Sequence, residues 1–361
     1  MRNWVPSLQS LRGLAAVAVV AFHVDALLVL HGQKALLGAV GAYGWLGVDL
    51  FFVLSAYLLG PRFFTEAPPS KRRFWLERFL RIGPAYYAAA AVAVVVALVR
   101  DAPGFNPWLA ATNLVFLQNL RPETWATLNV VFWTLAVEVH FYLILPWMAR
   151  RFRGPRWPAW LVAFLAMSLA FRFATFGHGD GRPFGDGDPW LFFGAATLPG
   201  FIGHFALGLA AARAQEVRKP GLWAGFGLVL VALLAFSIVP DRWATLLPPS
   251  GTEHVLLRPL AAAGFAMVVL GCTSPGRLRR VLELRPLLRL GDVSFCVYLL
   301  HFPVLVVLFD ALNGTVHPWR FAALGFAASL LAGTLLYILV ERPAERWRKA
   351  WMDRRRASVS A

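Results

Sequence analysis

Apolar runs of about 20 residues recur along this chain, and they limit its fold more than any other feature. A helix of that length crosses the hydrocarbon core of a bilayer. Helices and closed barrels are the structures that satisfy their backbone hydrogen bonds there. We therefore predict an all-α, polytopic bundle of about ten transmembrane helices. The predicted spans are 8–30, 38–61, 82–99, 128–149, 157–176, 191–212, 221–239, 255–272, 290–309 and 319–340.

The distribution of lysine and arginine predicts how these helices are oriented. With the N-terminus in the cytosol, 26 of the 35 basic residues fall on the inner side and eight on the outer side, while Arg12 lies near the inner end of the first span. Cytoplasmic loops are enriched in positive charge. We therefore expect both termini to be cytoplasmic. The net charge of +16 is then explained by the membrane loops, and no nucleic-acid partner is expected.

Several segments outside the spans carry weaker signals. Residues 106–120 are apolar but short and contain asparagine and glutamine, so we expect an interfacial or re-entrant piece, with a true span as the alternative. Residues 177–190 are rich in glycine and aspartate and are predicted to form an outer turn. The expected division is a membrane domain over 1–345 and a basic cytoplasmic tail over 346–361. No extracytoplasmic domain is expected after the last span.

Ionisable side chains inside the predicted spans mark candidate chemistry. A charge at the centre of a membrane helix costs about 2.5–3.5 kcal/mol on insertion scales. His23 lies eleven residues after Arg12, about 16 Å deeper along the helix. Asp49, Glu138 and His301 are expected at a similar depth. Each alone is as well explained by a hydrogen bond between helices, but together they suit acid–base catalysis or a proton relay. No histidine pair at helical spacing indicates a metal site.

Arg78 and Arg81 form a second candidate feature. They are three residues apart, so they share a face of a helix. Paired arginines suit bidentate binding of phosphate. The simpler explanation, ordinary enrichment of positive charge in an inner loop, fits Lys71, Arg72 and Arg73 better, because Arg78 and Arg81 continue into an apolar segment.

Six stretches resemble, in order, motifs of the acyltransferase-3 family of bacterial membrane O-acyltransferases. The six are "LQSLRGLA" with Arg12 and then His23, "GVDLFFVLSAYL" with Asp49 and Ser55, the pair Arg78 and Arg81, "FWTLAVEVHFYLILP" with Trp133 and Glu138, "VSFCVYLLHFP" with Tyr298 and His301, and "VERPAERW" with Glu341. The likeness runs from about residue 7 to residue 343. The sequence departs from the family at Gln9-Ser10, Ala56 and Val139-His140, which bears on substrate specificity.

The resemblance implies a multi-pass protein of the bacterial inner (plasma) membrane that uses acyl-CoA, commonly acetyl-CoA, as co-substrate. No bound metal or other cofactor is implied. The expected acceptor is a hydroxyl of a cell-surface glycan, a lipid-linked glycan precursor or a small molecule. His23 would act as base or acyl carrier, with Glu138 or Asp49 orienting its imidazole.

The same resemblance implies roles for the other motif residues. Arg12, Arg78 and Arg81 would bind the donor. Acceptor binding and a structural role stay open for His301, Tyr298, Trp133 and Ser55. A proton-coupled transporter or flippase is the main alternative function, and a non-catalytic scaffold is the third. Acceptor identity, acyl chain length, oligomeric state and the choice between direct transfer and an acyl-histidine are left open.

Overall fold

The computed structural model describes residues 5–101, 105–176, 189–214, 220–237, 253–312 and 317–360. The described part is helical and contains no strand, which confirms the predicted all-α helix bundle. Most of the glycine-rich stretch predicted to turn at 177–190 lies outside the described residues. Eleven helices of thirteen residues or more carry the fold of the described part. They are α1 (Pro6–Leu30), α2 (Gly47–Leu59), α3 (Lys71–Val99), α4 (Trp133–Arg153), α5 (Trp157–Phe176), α6 (Leu198–Arg213), α7 (Pro220–Ser237), α8 (Arg258–Thr273), α9 (Arg285–Ala311), α10 (Pro318–Leu336) and α11 (Arg342–Ser360).

Eight helical stretches among the described residues are long and apolar enough to cross a membrane. Two of the ten predicted spans are not among these eight. One is α4, which combines Glu138 with three arginines in its last turn. The other is α7, whose described apolar part is Gly221–Ala232. The number ten and the orientation of the termini stay predictions.

Helix boundaries differ from the predicted ones in two places that matter for the site. α3 begins at Lys71, eleven residues before the predicted span, because the side chain of Ser70 caps it by accepting from the backbone N–H of Arg73 at 3.4 Å. Arg78 and Arg81 therefore lie on the same continuous helix as the apolar span. At the other end of the chain, α10 continues through a π-helical turn, Tyr337–Glu341, into α11, on which the predicted basic tail lies.

Residues 106–120 form short turns and no helix of membrane length. The turns are Pro107–Ala110, Ala111–Val115 and Gln118–Leu120. Gln118 and Asn119 are buried, and their amide groups donate to the backbone oxygens of Phe132 at 3.0 Å and Trp133 at 2.7 Å. Two of the polar side chains that argued against a span, Gln118 and Asn119, thus bind this segment to the start of α4.

Close packing of glycines brings the functional helices together. A Cβ on Gly291 of α9 would lie 2.3 Å from the backbone oxygen of Gln9 on α1, and a Cβ on Gly333 of α10 would lie 2.4 Å from the side chain of Val297. Small residues at such contacts let membrane helices approach closely. The first contact belongs to a tight α1–α9 interface, at which His23 of α1 meets His301 of α9, and the second packs α10 against α9.

Candidate active site

A cavity of about 150 Å³ lies between α1, α2, α3, α4 and α9, and we call it the first cavity. Apolar residues of α2 and α9 form part of its wall. Most of the residues predicted to act on the donor also line it. The polar side chains that line it are Arg12, Ser55, Arg78, Arg81, Thr134, Glu138, Tyr142 and Tyr298.

The three arginines of the first cavity differ in their partners. Arg81 is ion-paired with the buried Glu341, and Cys296 donates from its Sγ to the other carboxylate oxygen at 2.8 Å. Arg12 and Arg78 have no ion-pair partner among the described residues, and the Nε of Arg78 is buried without a hydrogen bond. A buried charge without a partner is costly. The two guanidinium groups therefore favour an anion in this cavity.

Glu138 lines the first cavity, and one of its carboxylate oxygens, Oε1, accepts two hydrogen bonds from the protein. The hydroxyl of Tyr142, one turn later on α4, donates to Oε1 at 2.5 Å, and the Oγ of Ser55 donates to the same oxygen. These bonds hold one negative charge among the three arginines. Neither partner is a histidine, so the structure does not support the expectation that Glu138 orients the imidazole of His23.

His23 and His301 form a direct pair at the α1–α9 interface. Nδ1 of His23 lies 3.1 Å from Nε2 of His301 and 3.0 Å from the backbone oxygen of Val19. Nδ1 of His301 lies 2.7 Å from the backbone oxygen of Tyr298. His301 is fully buried, whereas His23 is partly exposed. The sequence predicted only a similar depth for His23 and His301, and the structure brings the two rings into contact.

When both rings are neutral, these contacts select one tautomer for each. A carbonyl oxygen only accepts, so Nδ1 of His301 carries a proton that it donates to Tyr298, and its Nε2 bears the lone pair. Nδ1 of His23 then donates to Val19 and toward that lone pair. The remaining nitrogen of His23, Nε2, is left unprotonated. This is the form in which an imidazole accepts a proton or attacks a carbonyl.

Tyr298 and Trp133 are the two aromatic residues of the predicted site, and they differ in position. Tyr298 lines the first cavity, and its hydroxyl lies 2.7 Å from the Oγ1 of Thr134. Its ring centroid is 5.7 Å from that of His301. Tyr298 therefore connects the cavity to the histidine pair. Trp133 packs its ring against Phe201, with centroids 5.7 Å apart, and does not line the first cavity. Its position suits the structural alternative.

Asp49 lies in a different, closed cluster. Arg258 of α8 donates to both carboxylate oxygens, from Nε at 3.0 Å and from Nη2 at 2.9 Å, and Nε2 of His204 lies 2.7 Å from Oδ1. The three side chains are 0–3% exposed. We call Asp49, His204 and Arg258 the ion-pair cluster. The expectation that Asp49 orients His23 is not met, because α2 turns Asp49 toward α6 and α8 and away from α1.

Sequence reasoning missed three of these partners. Tyr142 follows Glu138 by four residues, a helical spacing that could have identified it. His204 and Arg258 carried no such signal, because their contact with Asp49 joins residues 155 and 209 positions apart. Arg258 is one of the eight basic residues that the sequence assigns to the outer side, and the structure buries it in the bundle.

The sequence of this chain matches a known protein family. The pattern of a family described as an acyltransferase domain, acyltransferase-3, matches residues 5–338. The chain belongs to the acyltransferase-3 family. No solved structure matches it.

Characterised relatives cover nearly the whole of this acyltransferase. It is 29% identical to the acyltransferase MdmB of Streptomyces mycarofaciens over 95% of the chain and 92% of the relative. It is 25% identical to the peptidoglycan O-acetyltransferase OatA of Listeria monocytogenes, over 96% of the chain and 56% of that relative. OatA of Staphylococcus aureus is 24% identical over 84% of the chain and 51% of the relative. The family and its relatives therefore support a transferase enzyme, and the apolar helices support a multi-pass membrane protein.

Proposed function

We propose that this acyltransferase moves an acyl group, most simply acetyl, from cytosolic acyl-CoA to a hydroxyl group of its acceptor. The acceptor is a cell-surface glycan, a lipid-linked glycan precursor or a small molecule, and the membrane is the bacterial inner membrane. The relatives named O-acetyltransferase support the acetyl group and the hydroxyl acceptor. The observation that carries the proposal is the first cavity, in which Arg12 and Arg78 lie without ion-pair partners in the described part of the chain.

The donor fits the first cavity by charge. Coenzyme A is an anion with several phosphate groups, and arginine forks bind phosphate through paired N–H donors. Arg12 and Arg78 supply the free guanidinium groups, and Arg81 is held in place by Glu341. Glu138, fixed by Ser55 and Tyr142, keeps the cavity from becoming more strongly cationic.

The acyl end of the donor must then travel from the arginines to His23. Eleven residues of α1 separate Arg12 from His23, about 16 Å at 1.5 Å per residue. Tyr298 marks that route, since it lines the cavity one turn before His301 on α9. The long thioester arm of coenzyme A suits a site in which the phosphates and the reacting carbonyl lie this far apart.

His23 supplies the base in the direct route. Its Nε2 takes the proton of the acceptor hydroxyl while the oxygen attacks the thioester carbonyl. The carbon–sulfur bond then breaks, and the leaving thiolate takes the proton from the imidazolium, so that an ester and a free thiol are formed. In the covalent route Nε2 itself attacks the carbonyl, and the acceptor then removes the acyl group from the ring.

His301 is a positioning residue in this scheme. Its Nε2 accepts from Nδ1 of His23, which keeps the other nitrogen of His23 unprotonated. When His23 becomes an imidazolium, the same bond strengthens because its donor is charged. This is the part that a carboxylate plays in hydrolase triads, here taken by a neutral imidazole.

The proposal is tested with purified protein and acetyl-CoA labelled in the acetyl group. Wild type is expected to bind acetyl-CoA and to release free thiol. His23→Ala should bind but not cleave, and Arg78→Ala/Arg81→Ala should bind poorly. His317→Ala, which changes an exposed histidine at the start of α10, is the control for His23.

Label that stays on the protein after denaturation of wild type, but not of His23→Ala, would select the covalent route. Wild type that binds no acyl-CoA would contradict the proposed donor. Cleavage that persists in His23→Ala would contradict the role of His23 as base and as carrier.

A further inference from the structure

A second cavity, of about 330 Å³, lies beyond the histidine pair on the side away from the first. The two cavities share α3 and α9 as walls. On α9, Phe295 and Tyr298 line the first cavity and Phe302 and Pro303 line the second, so that His301 falls between them. On α3, the last residue of the first cavity, 82, and the first residue of the second, 93, are about 16 Å apart along the helix.

His23 lines neither cavity, but its ring contacts a wall residue of the second one. The ring centroid of Phe302, which forms part of the second cavity's wall, is 5.3 Å from that of His23. The distance along α1 from Arg12 to His23 matches the distance along α3 between the two cavities, about 16 Å each. A molecule in the second cavity that packs on Phe302 is therefore one side chain away from the base.

The wall formed by residues 122–129 is fastened before any ligand binds. The buried Asn129 donates from Nδ2 to the backbone oxygen of Leu299 at 3.0 Å, and its Oδ1 accepts from the backbone N–H of Val131 at 3.2 Å. Thr124 donates from Oγ1 to the backbone oxygen of Gln118 at 2.7 Å. Small-molecule sites are usually preformed clefts of about 300–1,000 Å³ with a few fixed polar groups, and the second cavity fits that description.

The side chains around this cavity select a class of ligand. Trp125 and Phe302 supply aromatic surface against which the C–H face of a sugar ring packs, while the carboxylate of Glu123 accepts hydrogen bonds from hydroxyl groups. Arg100 also lines the cavity, but it is ion-paired with Asp310. Glu123, Arg100 and Asp310 together carry one negative charge. An anionic ligand is repelled there, and a neutral or cationic one is not.

We propose that the second cavity binds the hydroxyl acceptor, and that this acceptor is an uncharged or cationic carbohydrate-class compound. The inference rests on the proposed acyl transfer and names the substrate class and the place where it binds. A hydroxyl group held against Phe302 reaches His23 without entering the donor cavity. Donor and acceptor thus approach the base from opposite sides.

The test blocks the second cavity without touching the first. Ala126 is exposed and lines the second cavity, so Ala126→Cys can be labelled with a bulky maleimide, while the two native cysteines, Cys272 and Cys296, are buried. Membrane vesicles that contain their own acceptors are supplied with labelled acetyl-CoA, and acetyl incorporation is counted. Labelled Trp108→Cys is the matched control, because Trp108 is 86% exposed and does not line the cavity.

Labelling Ala126→Cys is expected to lower incorporation at least tenfold relative to the unlabelled variant, with acetyl-CoA affinity changed less than twofold. Equal incorporation before and after labelling would overturn the assignment of the cavity. Loss of acetyl-CoA binding in wild type would instead contradict the proposed donor, so the two failures are distinguishable.

Competition defines the class of acceptor. Methyl glucoside, the methyl glycoside of N,N-dimethylglucosamine and methyl glucuronide are added to the vesicles as neutral, cationic and anionic probes. The first two should lower incorporation, and the third should do so at least tenfold less well. Stronger competition by the glucuronide would overturn the charge preference. Competition by none of the three would overturn the carbohydrate class in favour of an apolar occupant.

Discussion

Two sets of buried charges in this acyltransferase use the same residue types in opposite ways. In the ion-pair cluster, Asp49 meets Arg258 and His204, and the contacts leave the three side chains almost unexposed. In the first cavity, Arg12 and Arg78 line an open space without ion-pair partners among the described residues. The comparison teaches that depth in a membrane does not by itself mark a functional charge. A charge whose partner is built into the fold supports structure, and one that faces a cavity can bind a ligand.

Two histidines give the largest expected difference between the regions. His23→Ala should lower acyl transfer by about 10²–10⁴-fold, the range in which general acid–base groups contribute, with little change in thermal stability. His204→Ala should lower thermal stability and leave acyl transfer nearly unchanged. It removes a hydrogen bond to a buried carboxylate, while the second cavity and the base stay intact. Transfer per folded molecule and melting temperature in detergent measure the two effects. If both variants stayed stable and lost transfer equally, the proposed difference between the two regions would be contradicted.

Asp49 should govern stability more than turnover. Asp49→Ala leaves Arg258 buried without its carboxylate, and breaking a buried pair in this way costs about 3–5 kcal/mol. Asp310→Ala is the matched control, since it removes an aspartate from the more exposed pair with Arg100, where the cost is about 0–1 kcal/mol. Thermal unfolding of both variants measures the difference. A stable Asp49→Ala protein that has lost transfer would place Asp49 in the chemistry after all.

His301 should affect rate through the tautomer of His23. His301→Ala removes one hydrogen bond, worth about 0.5–1.5 kcal/mol, so kcat should fall about 2- to 13-fold while the KM for acetyl-CoA stays the same. His301→Gln should restore part of the rate, because an amide oxygen accepts from Nδ1 of His23. Nitrogen-15 spectra of the labelled imidazoles give an independent readout of which nitrogen of His23 is protonated. The bond from Nδ1 to the backbone oxygen of Val19 remains in this variant, so the two tautomer populations should shift only in part. Unchanged populations together with an unchanged kcat would contradict the positioning role.

Glu138 should produce the smallest change. Glu138→Gln keeps the shape of the side chain and the bond from Tyr142 but removes the negative charge from the first cavity. Acetyl-CoA should then bind up to about fivefold more tightly, an effect on the order of 1 kcal/mol. Titration calorimetry measures the affinity, and Glu66→Gln, which changes an exposed carboxylate, is the control. Complete loss of transfer with unchanged donor affinity would assign Glu138 to the chemistry instead.

The lengths of the apolar runs predicted the fold class, and the motifs of the family resemblance named six residues that the structure places around the first cavity. Arg12, Ser55, Arg78, Arg81, Glu138 and Tyr298 all line the first cavity. The pair of His23 and His301 was predicted only as a shared depth. The interaction partners of Asp49 were not predicted. Whether Asp49 faces α1 or α8 depends on helix rotation, which a single mid-span residue does not encode, and Arg258 lies 209 positions away in the chain.

The second cavity was not predicted, because its parts are individually ordinary. Glu123 and Trp125 belong to a segment between short turns and α4, and Phe302 follows His301 within an apolar run. Only the packing of that segment on α9, through Asn129, brings them together.

Arg12 and Arg78 are the proposed binding site of the donor phosphates, and one titration tests this central assignment. Acetyl-CoA is titrated into wild type, Arg12→Ala/Arg78→Ala and Arg72→Ala/Arg150→Ala, the last of which removes the same charge from exposed positions. Hydrogen bonds to charged groups contribute about 1.5–3 kcal/mol each, so the first double variant should bind about 100-fold more weakly or worse. The control should stay within about twofold at physiological salt, where exposed charges are screened. Equal weakening of both double variants would contradict the account, because the general positive charge of the protein would then explain donor binding without this cavity.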